Sequence, residues 1–312
     1  MEKIATREAY GRALVKLGQL HEDVVVLDAD LSKSTKTAEF AAVFPERFFN
    51  VGIAEQNMMG IAAGLAAAGK VVFASSFAVF ATGRAWEQVR NSIAYSGLNV
   101  KVCATHSGLT VGEDGGSHQA IEDIALMRVL PGMKVLVPAD GVAAEKLVKA
   151  VYEAEGPAYL RLGRPAVPVI HPPELEFEIG RGIVLREGRD AAIFACGIMV
   201  QTALDAASIL AGRGIQVSVV DMFSIKPLDE ALVRRMAAET GALVTAEEHN
   251  IIGGLGSAIC EAAADGCAVP VIRVGIEDEF GQSGTPDELL AHYGLTADNL
   301  VRAVEDSMSL KR

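Results

Sequence analysis

The sequence predicts an α/β protein of two domains, each built on a mostly parallel sheet, and three observations carry that expectation. Apolar β-rich runs alternate with helical patterns along nearly the whole chain, which is the signature of βα units. A proline-rich break interrupts the alternation past the midpoint. The 312 residues are 50% hydrophobic and 22% charged, a globular composition long enough for two cores.

The elements follow in order. The first residues pass directly into a charged helical pattern, without the basic segment and apolar stretch of a signal peptide, so the mature chain is expected to begin here. Strands are expected at Val24 to Leu27, Val71 to Phe73, Val100 to Ala104, Val135 to Val137 and Tyr159 to Leu162. Gly60 to Ala81 is almost free of charge and approaches the roughly 20 residues of a membrane span. Lys70, the Ser75-Ser76 pair, Gly64 and Gly69 divide it into a buried small-residue helix and a β-branched strand. Pro157, Pro165, Pro168, Pro172 and Pro173, five of the chain's 11 prolines, mark the break. The expected organisation is a first domain over 1–165, a linker over 166–186 and a second domain over 187–312. In the second domain, strands are expected at Ala191 to Ala195, Val217 to Asp221, Leu243 to Ala246 and Val271 to Val274.

Composition excludes several functions. Against 28 Lys plus Arg stand 40 Asp plus Glu, a net charge of −12 that disfavours nucleic acid or an anionic membrane as partner. Four scattered cysteines, Cys103, Cys196, Cys260 and Cys267, make no disulfide scaffold and point to a reducing, cytoplasmic setting. There is no P-loop, and Gly254-Leu255-Gly256 lacks the third glycine of a dinucleotide fingerprint. Without C-x-x-C or H-E-x-x-H, no zinc site is expected.

Three stretches carry candidate chemistry. Glu55, within Asn50 to Met58, falls in the first turn of an Ala/Gly-rich helix. It is either a carboxylate favoured by the helix dipole or a carboxyl in an apolar cleft, where desolvation favours the protonated form that can exchange a proton with a bound heterocycle. Thr105 to Gln119 follows a strand and is too glycine-rich for a helix; such loops at strand C-termini hold the sites of open α/β sheets. Its His106 and His118 suit hydrogen bonding or proton transfer, with a solvated turn or a metal loop as the other readings. Phe77 and Phe80 open a helix that runs on through Trp86, Val89 and Ile93, as core or as a ring-stacking platform. Arg7, Arg161 and Arg164, near element ends, could each form forked phosphate contacts or surface ion pairs.

Together these stretches resemble the thiamine-diphosphate-dependent transketolase family, in its pyrimidine-binding and C-terminal domains, over nearly the whole chain. The resemblance implies that Glu55, in Gly52-Ile53-Ala54-Glu55-Gln56-Asn57, hydrogen-bonds the cofactor's aminopyrimidine and exchanges a proton with it. It implies that Phe77 and Phe80 stack on that ring and that Asp30, in Ala29-Asp30-Leu31, lies near the thiazolium. Arg7, Ser34, His106 and Arg164 match the residues that hold the sugar phosphate. Gly112 to Gln119 matches the Gly-Glu-Asp-Gly-x-x-His-Gln signature, which gives Asp114 a substrate hydroxyl to contact and His118 a part in proton transfer. Phe280-Gly281-Gln282-Ser283 resembles a C-terminal-domain segment of the family.

Some positions depart from the family pattern. Gly116 replaces a common proline, Ser107 a common aspartate and Gly83 a frequent tyrosine, and Glu247-Glu248-His249-Asn250 is nearer deoxyxylulose-phosphate synthase and oxo-acid dehydrogenase beta chains. The Gly-Asp-Gly motif that holds the diphosphate and its divalent metal is absent. The expectation is therefore one subunit of a split transketolase (EC 2.2.1.1) transferring a two-carbon ketol unit between sugar phosphates. An N-terminal subunit would supply the diphosphate-binding domain and the Mg2+ ligands, in a two-fold hetero-oligomer. The alternatives are half of a deoxyxylulose-phosphate synthase, an oxo-acid dehydrogenase beta chain, or a non-catalytic oligomerisation subunit.

Overall fold

The computed structural model describes residues 2–265 and 268–311; Cys267 lies outside them. The strands are β1 (Lys3–Ala5), β2 (Val24–Asp28), β3 (Phe48–Asn50), β4 (Val71–Phe77), β5 (Val100–Thr105), β6 (Lys134–Leu136), β7 (Ala158–Arg161), β8 (Ala166–Pro168), β9 (Ile183–Arg186), β10 (Ala191–Ala195), β11 (Val217–Asp221), β12 (Ser224–Lys226), β13 (Leu243–Asn250) and β14 (Val271–Ile276). Every strand expected from the apolar runs is present, and β10 and β11 have the expected bounds. Those runs are legible because a parallel strand is buried on both faces.

The first sheet has the order β12-β6-β7-β5-β4-β2-β3 and is parallel except for β12, which runs antiparallel to β6. The second has the order β14-β13-β10-β11-β9, with β9 antiparallel at its edge. Thus β12, from the second half of the chain, completes the first half's sheet. The stretch 166–186, expected as a linker, carries two strands: β8 pairs with β1, and β9 joins the second sheet. Three or four residues on a sheet edge have no periodicity to read, and their pairing is fixed by partners far away in sequence.

Phe77 does not open a helix. It closes β4, whose seven residues are all buried, because Ser75, Ser76 and Phe77 continue the parallel register against Cys103, Ala104 and Thr105 of β5. The helix begins after it with a π-helical turn over Val79–Arg84, closed by the Ala85 amide donating to the Phe80 carbonyl at 3.2 Å.

One face of the first sheet packs on the helices Thr6–Leu20 and Gly141–Glu153. The other shares a single apolar core with helices of both domains, from Met58 and Met59 through Met127 to Met236 and Ile259. No described helix is long and apolar enough to cross a membrane.

Candidate active site

Chain direction decides where the polar residues gather, since β2, β3, β4 and β5 are parallel and their C-terminal ends lie along one edge. Asp28 ends β2, and its buried carboxylate accepts from the Leu31 amide at 2.6 Å and the hydroxyls of Thr35 and Thr37 at 2.7 and 2.9 Å. This folds back the segment that carries Ser34. Asn50, ending β3, accepts from the Asp30 amide and the Gly52 amide at 3.0 Å each and donates to the Asp30 carboxylate at 3.3 Å. Asp30 takes a positive φ of 66° there. Glu55 follows as the first residue of the helix Glu55–Ala67 and is only 2% exposed.

The side chains round Glu55 form a continuous series of contacts. Arg84 donates to Glu55 Oε2 at 3.0 Å, and its guanidinium lies 4.4 Å from the centre of the Phe80 ring. Phe80 and Phe77 lie nearly parallel with centroids 6.1 Å apart. His106 stacks on Phe77 at 3.8 Å, and His118 meets Phe80 edge-on at 5.4 Å. Glu55, Phe77, Phe80, His106 and His118, distant in sequence, therefore share one site.

The cationic residues assemble beside it. Arg7 donates to the backbone carbonyls of Ser34 at 2.8 Å and Arg164 at 3.2 Å, while Arg164 donates to the Val111 carbonyl. Burial and the neighbouring Arg164 charge lower the pKa of Arg7. Arg164 lies 3.4 Å from the exposed Glu113 carboxylate, a loose pairing, and guanidiniums so weakly compensated suit a bound dianion. His106 feels them too: burial, then the charges of Arg7, Arg164 and His118, push its ring down to about 3. The imidazole is neutral at pH 7, with Nδ1 2.8 Å from the Thr105 hydroxyl. It can make directed hydrogen bonds there but supplies no cation.

Arg161 stands apart from this group. Its guanidinium is locked on Asp123 at 2.7 and 3.1 Å and on the carbonyls of Ala120 and Glu248, so it is structural. Asp114 is exposed, and among the described residues no hydrogen bond or ion pair ties it to the cluster.

Sequence reasoning missed two contributors. Arg84 lies four residues after Phe80, but the π-helical turn over Val79–Arg84 sets its direction, and no α-helical spacing announces it. Glu248, at the end of the second domain's β13, reaches the Thr110 amide within the glycine-rich loop, and no sequence signal connects them. A cleft of about 770 Å³ lies between the domains near Arg128, Lys226 and Glu261, and none of the cluster lines it. Among the described residues no group of three or more His, Cys, Asp or Glu is arranged to hold a metal ion.

Residues 2–169 match the family model of the transketolase pyrimidine-binding domain, and residues 180–300 that of the transketolase C-terminal domain. The chain is 50% identical to a putative transketolase C-terminal section of Methanocaldococcus jannaschii, over 97% of this chain and 96% of that protein. It is 44% identical to a 6-deoxy-6-sulfo-D-fructose transketolase subunit of Clostridium sp., over 98% and 95%. Human transketolase is 38% identical over 97% of the chain, which spans 49% of that protein's length. Among solved structures, a split-gene transketolase described as an inactive beta4 tetramer superposes with a TM-score of 0.92 at 57% identity, covering both chains fully.

Proposed function

Since the chain belongs to the transketolase family, as the counterpart of its pyrimidine-binding and C-terminal domains, we propose that it is the C-terminal subunit of a two-chain, thiamine-diphosphate-dependent transketolase. In this reading it transfers a two-carbon ketol unit from a ketose phosphate to an aldose phosphate. Its partner is an N-terminal subunit bearing the diphosphate-binding domain and the Mg2+ ligands, in a two-fold hetero-oligomer.

The observation that carries the reading is the buried Glu55 at the edge of an aromatic bed, Phe77 and Phe80, with two histidines against the same rings. That donor set fits a flat, basic heterocycle: a carboxyl for a ring nitrogen and an apolar face to stack on. When bound, thiamine diphosphate supplies the electron sink for breaking a carbon–carbon bond next to a carbonyl. This chain's residues do the rest. Glu55 holds or releases a proton at its carboxylate oxygen, and the phenylalanines fix the ring. His106, neutral, orients a sugar hydroxyl, and His118, half-exposed, assists proton transfer. Arg7 and Arg164 grip the remote phosphate with Ser34 beside them, and Asp30 and Asp114 complete the thiazolium and hydroxyl contacts. Remote binding energy thereby positions the reacting end.

The partner is supported by exposed apolar side chains in the chain on either side of Glu55: Ile53 is 78% exposed, Phe49 44% and Ile61 37%. A second reading, a sulfonated donor sugar, is favoured by the Clostridium relative, because a sulfonate is also an anion that Arg7 and Arg164 could hold.

The test mixes the chain with its partner subunit, thiamine diphosphate and magnesium. It follows glyceraldehyde 3-phosphate release from xylulose 5-phosphate, with ribose 5-phosphate as acceptor and a sulfonated ketose in parallel. Release should need both chains, and Glu55→Gln should lower it by at least about 10² while shifting the melting temperature by no more than about 4 °C. Near-normal turnover by Glu55→Gln would remove the reading.

A further inference from the structure

The glycine-rich loop has His106 and His118 at its two ends, while its middle is built into the second domain. Leu109 is fully buried in that domain's core, with Leu289 and Val274. Glu248 accepts from the Thr110 amide, and Arg161 fixes the same strand by donating to the Glu248 carbonyl at 2.9 Å. Gly108, at φ 76°, passes so close that an added methyl group would lie 2.3 Å from the Glu248 carboxyl carbon. Further along, Ser283 Oγ donates to the Glu113 carbonyl at 2.7 Å, and Gln119 Nε2 donates to the Gln282 carbonyl at 3.0 Å. A methyl group on Gly116 would come within 2.6 Å of the Gly281 carbonyl oxygen. Gly108 and Gly116 are thus where the Glu248 side chain and the second domain's backbone press against the loop.

From this geometry we propose that the second domain is a clamp on the substrate loop, with Glu248 as its positioning residue. Among the described residues the Glu248 carboxylate is hydrogen-bonded to Thr110 and to neither histidine. It acts through Thr110, holding the short tether whose ends carry the two histidines, and a displacement of about 1 Å at such a loop is enough to cost substantial rate. Ser283 supplies a second, independent hold. The loop's role in holding substrate rests on the function proposed above; the clamp itself does not.

The experiment compares Glu248→Ala, Glu248→Gln and Ser283→Ala in the assembled two-chain enzyme. Three quantities are read: hydrogen–deuterium exchange of the peptide covering 108–119, KM for the ketose phosphate, and thiamine-diphosphate affinity by calorimetry. Glu248→Ala should speed loop exchange and raise KM, each about tenfold, with cofactor affinity within about twofold, since Glu55 and the phenylalanines sit on other elements. Glu248→Gln, whose amide oxygen can still accept from Thr110, should restore both. Should Glu248→Ala fail to fold, Ser283→Ala carries the test, with a shift of about threefold in the same direction. Unchanged exchange in the variants that fold overturns the clamp. So does Glu248→Gln behaving like Glu248→Ala, or cofactor affinity falling in step with KM. Faster loop exchange in an assembly that turns over no sugar phosphate would sink the substrate reading and still support the clamp.

Discussion

At the scale of single residues, the site is held by pairs the chain brings from far apart. Glu55 is buried and Arg84 half-exposed, so their 3.0 Å contact is more than a surface ion pair and less than a sealed one. Replacing Arg84 with Met should strand the Glu55 carboxylate and cost about 1–2 kcal/mol. Urea unfolding of Arg84→Met, Glu55→Gln and the double variant would reveal it as a coupling of about 1 kcal/mol; additive effects would mean the pair contributes nothing. Glu55, Phe77 and Phe80 could be picked out in the sequence because they occur in compact, ordered motifs. Arg84 could not, because its direction depends on the π-helical turn that contains Phe80, and one extra residue in a turn rotates every later side chain.

Among the elements, the stretch between the domains is the most constrained. Asp140 caps the helix Gly141–Glu153 through the Ala143 amide at 2.8 Å and also accepts from the amides of Ile170 and His171, each at 2.8 Å. The His171 ring lies between Asp140 at 3.1 Å and Asp221, the last residue of β11, at 3.3 Å. Neither approach has the alignment of a good hydrogen bond, so the attraction is one of charge. Burial works against a charged ring, but the two carboxylates outweigh it and carry His171 up to about 9. The folded value exceeds the ordinary 6.5, so the stabilisation is full below pH 6.5 and is lost as pH rises through 9. Denaturant titrations should find the protein less stable at about pH 9.5 than at about 6.5, by up to about 3 kcal/mol. His171→Asn should flatten that slope, and an unchanged slope would exclude the bridge as its source. A proline-rich composition announces a break in the alternation; it says nothing of a histidine held from both sides.

For the whole molecule, the domains are joined by more than the chain between them: β12 completes the first sheet, one apolar core spans both halves, and the second domain grips the loop of the first. Assembly is the matching prediction. Ile53→Asp, at a position 78% exposed, should leave the isolated chain's melting temperature unchanged and weaken association with the partner subunit by at least about tenfold. Unaltered association, measured by sedimentation, would move the interface elsewhere. The parallel α/β architecture and the main strands were determined by the sequence itself, because burial on both faces writes continuous apolar runs. The family resemblance, including Glu55 and the histidine loop, was legible because those residues cluster in local motifs. Only the tertiary structure decided that Phe77 closes a strand, that β12 crosses to the other sheet, and that Glu248 reaches the loop of the first domain. Each of these depends on a partner tens to more than a hundred residues away, and no local pattern records such a contact.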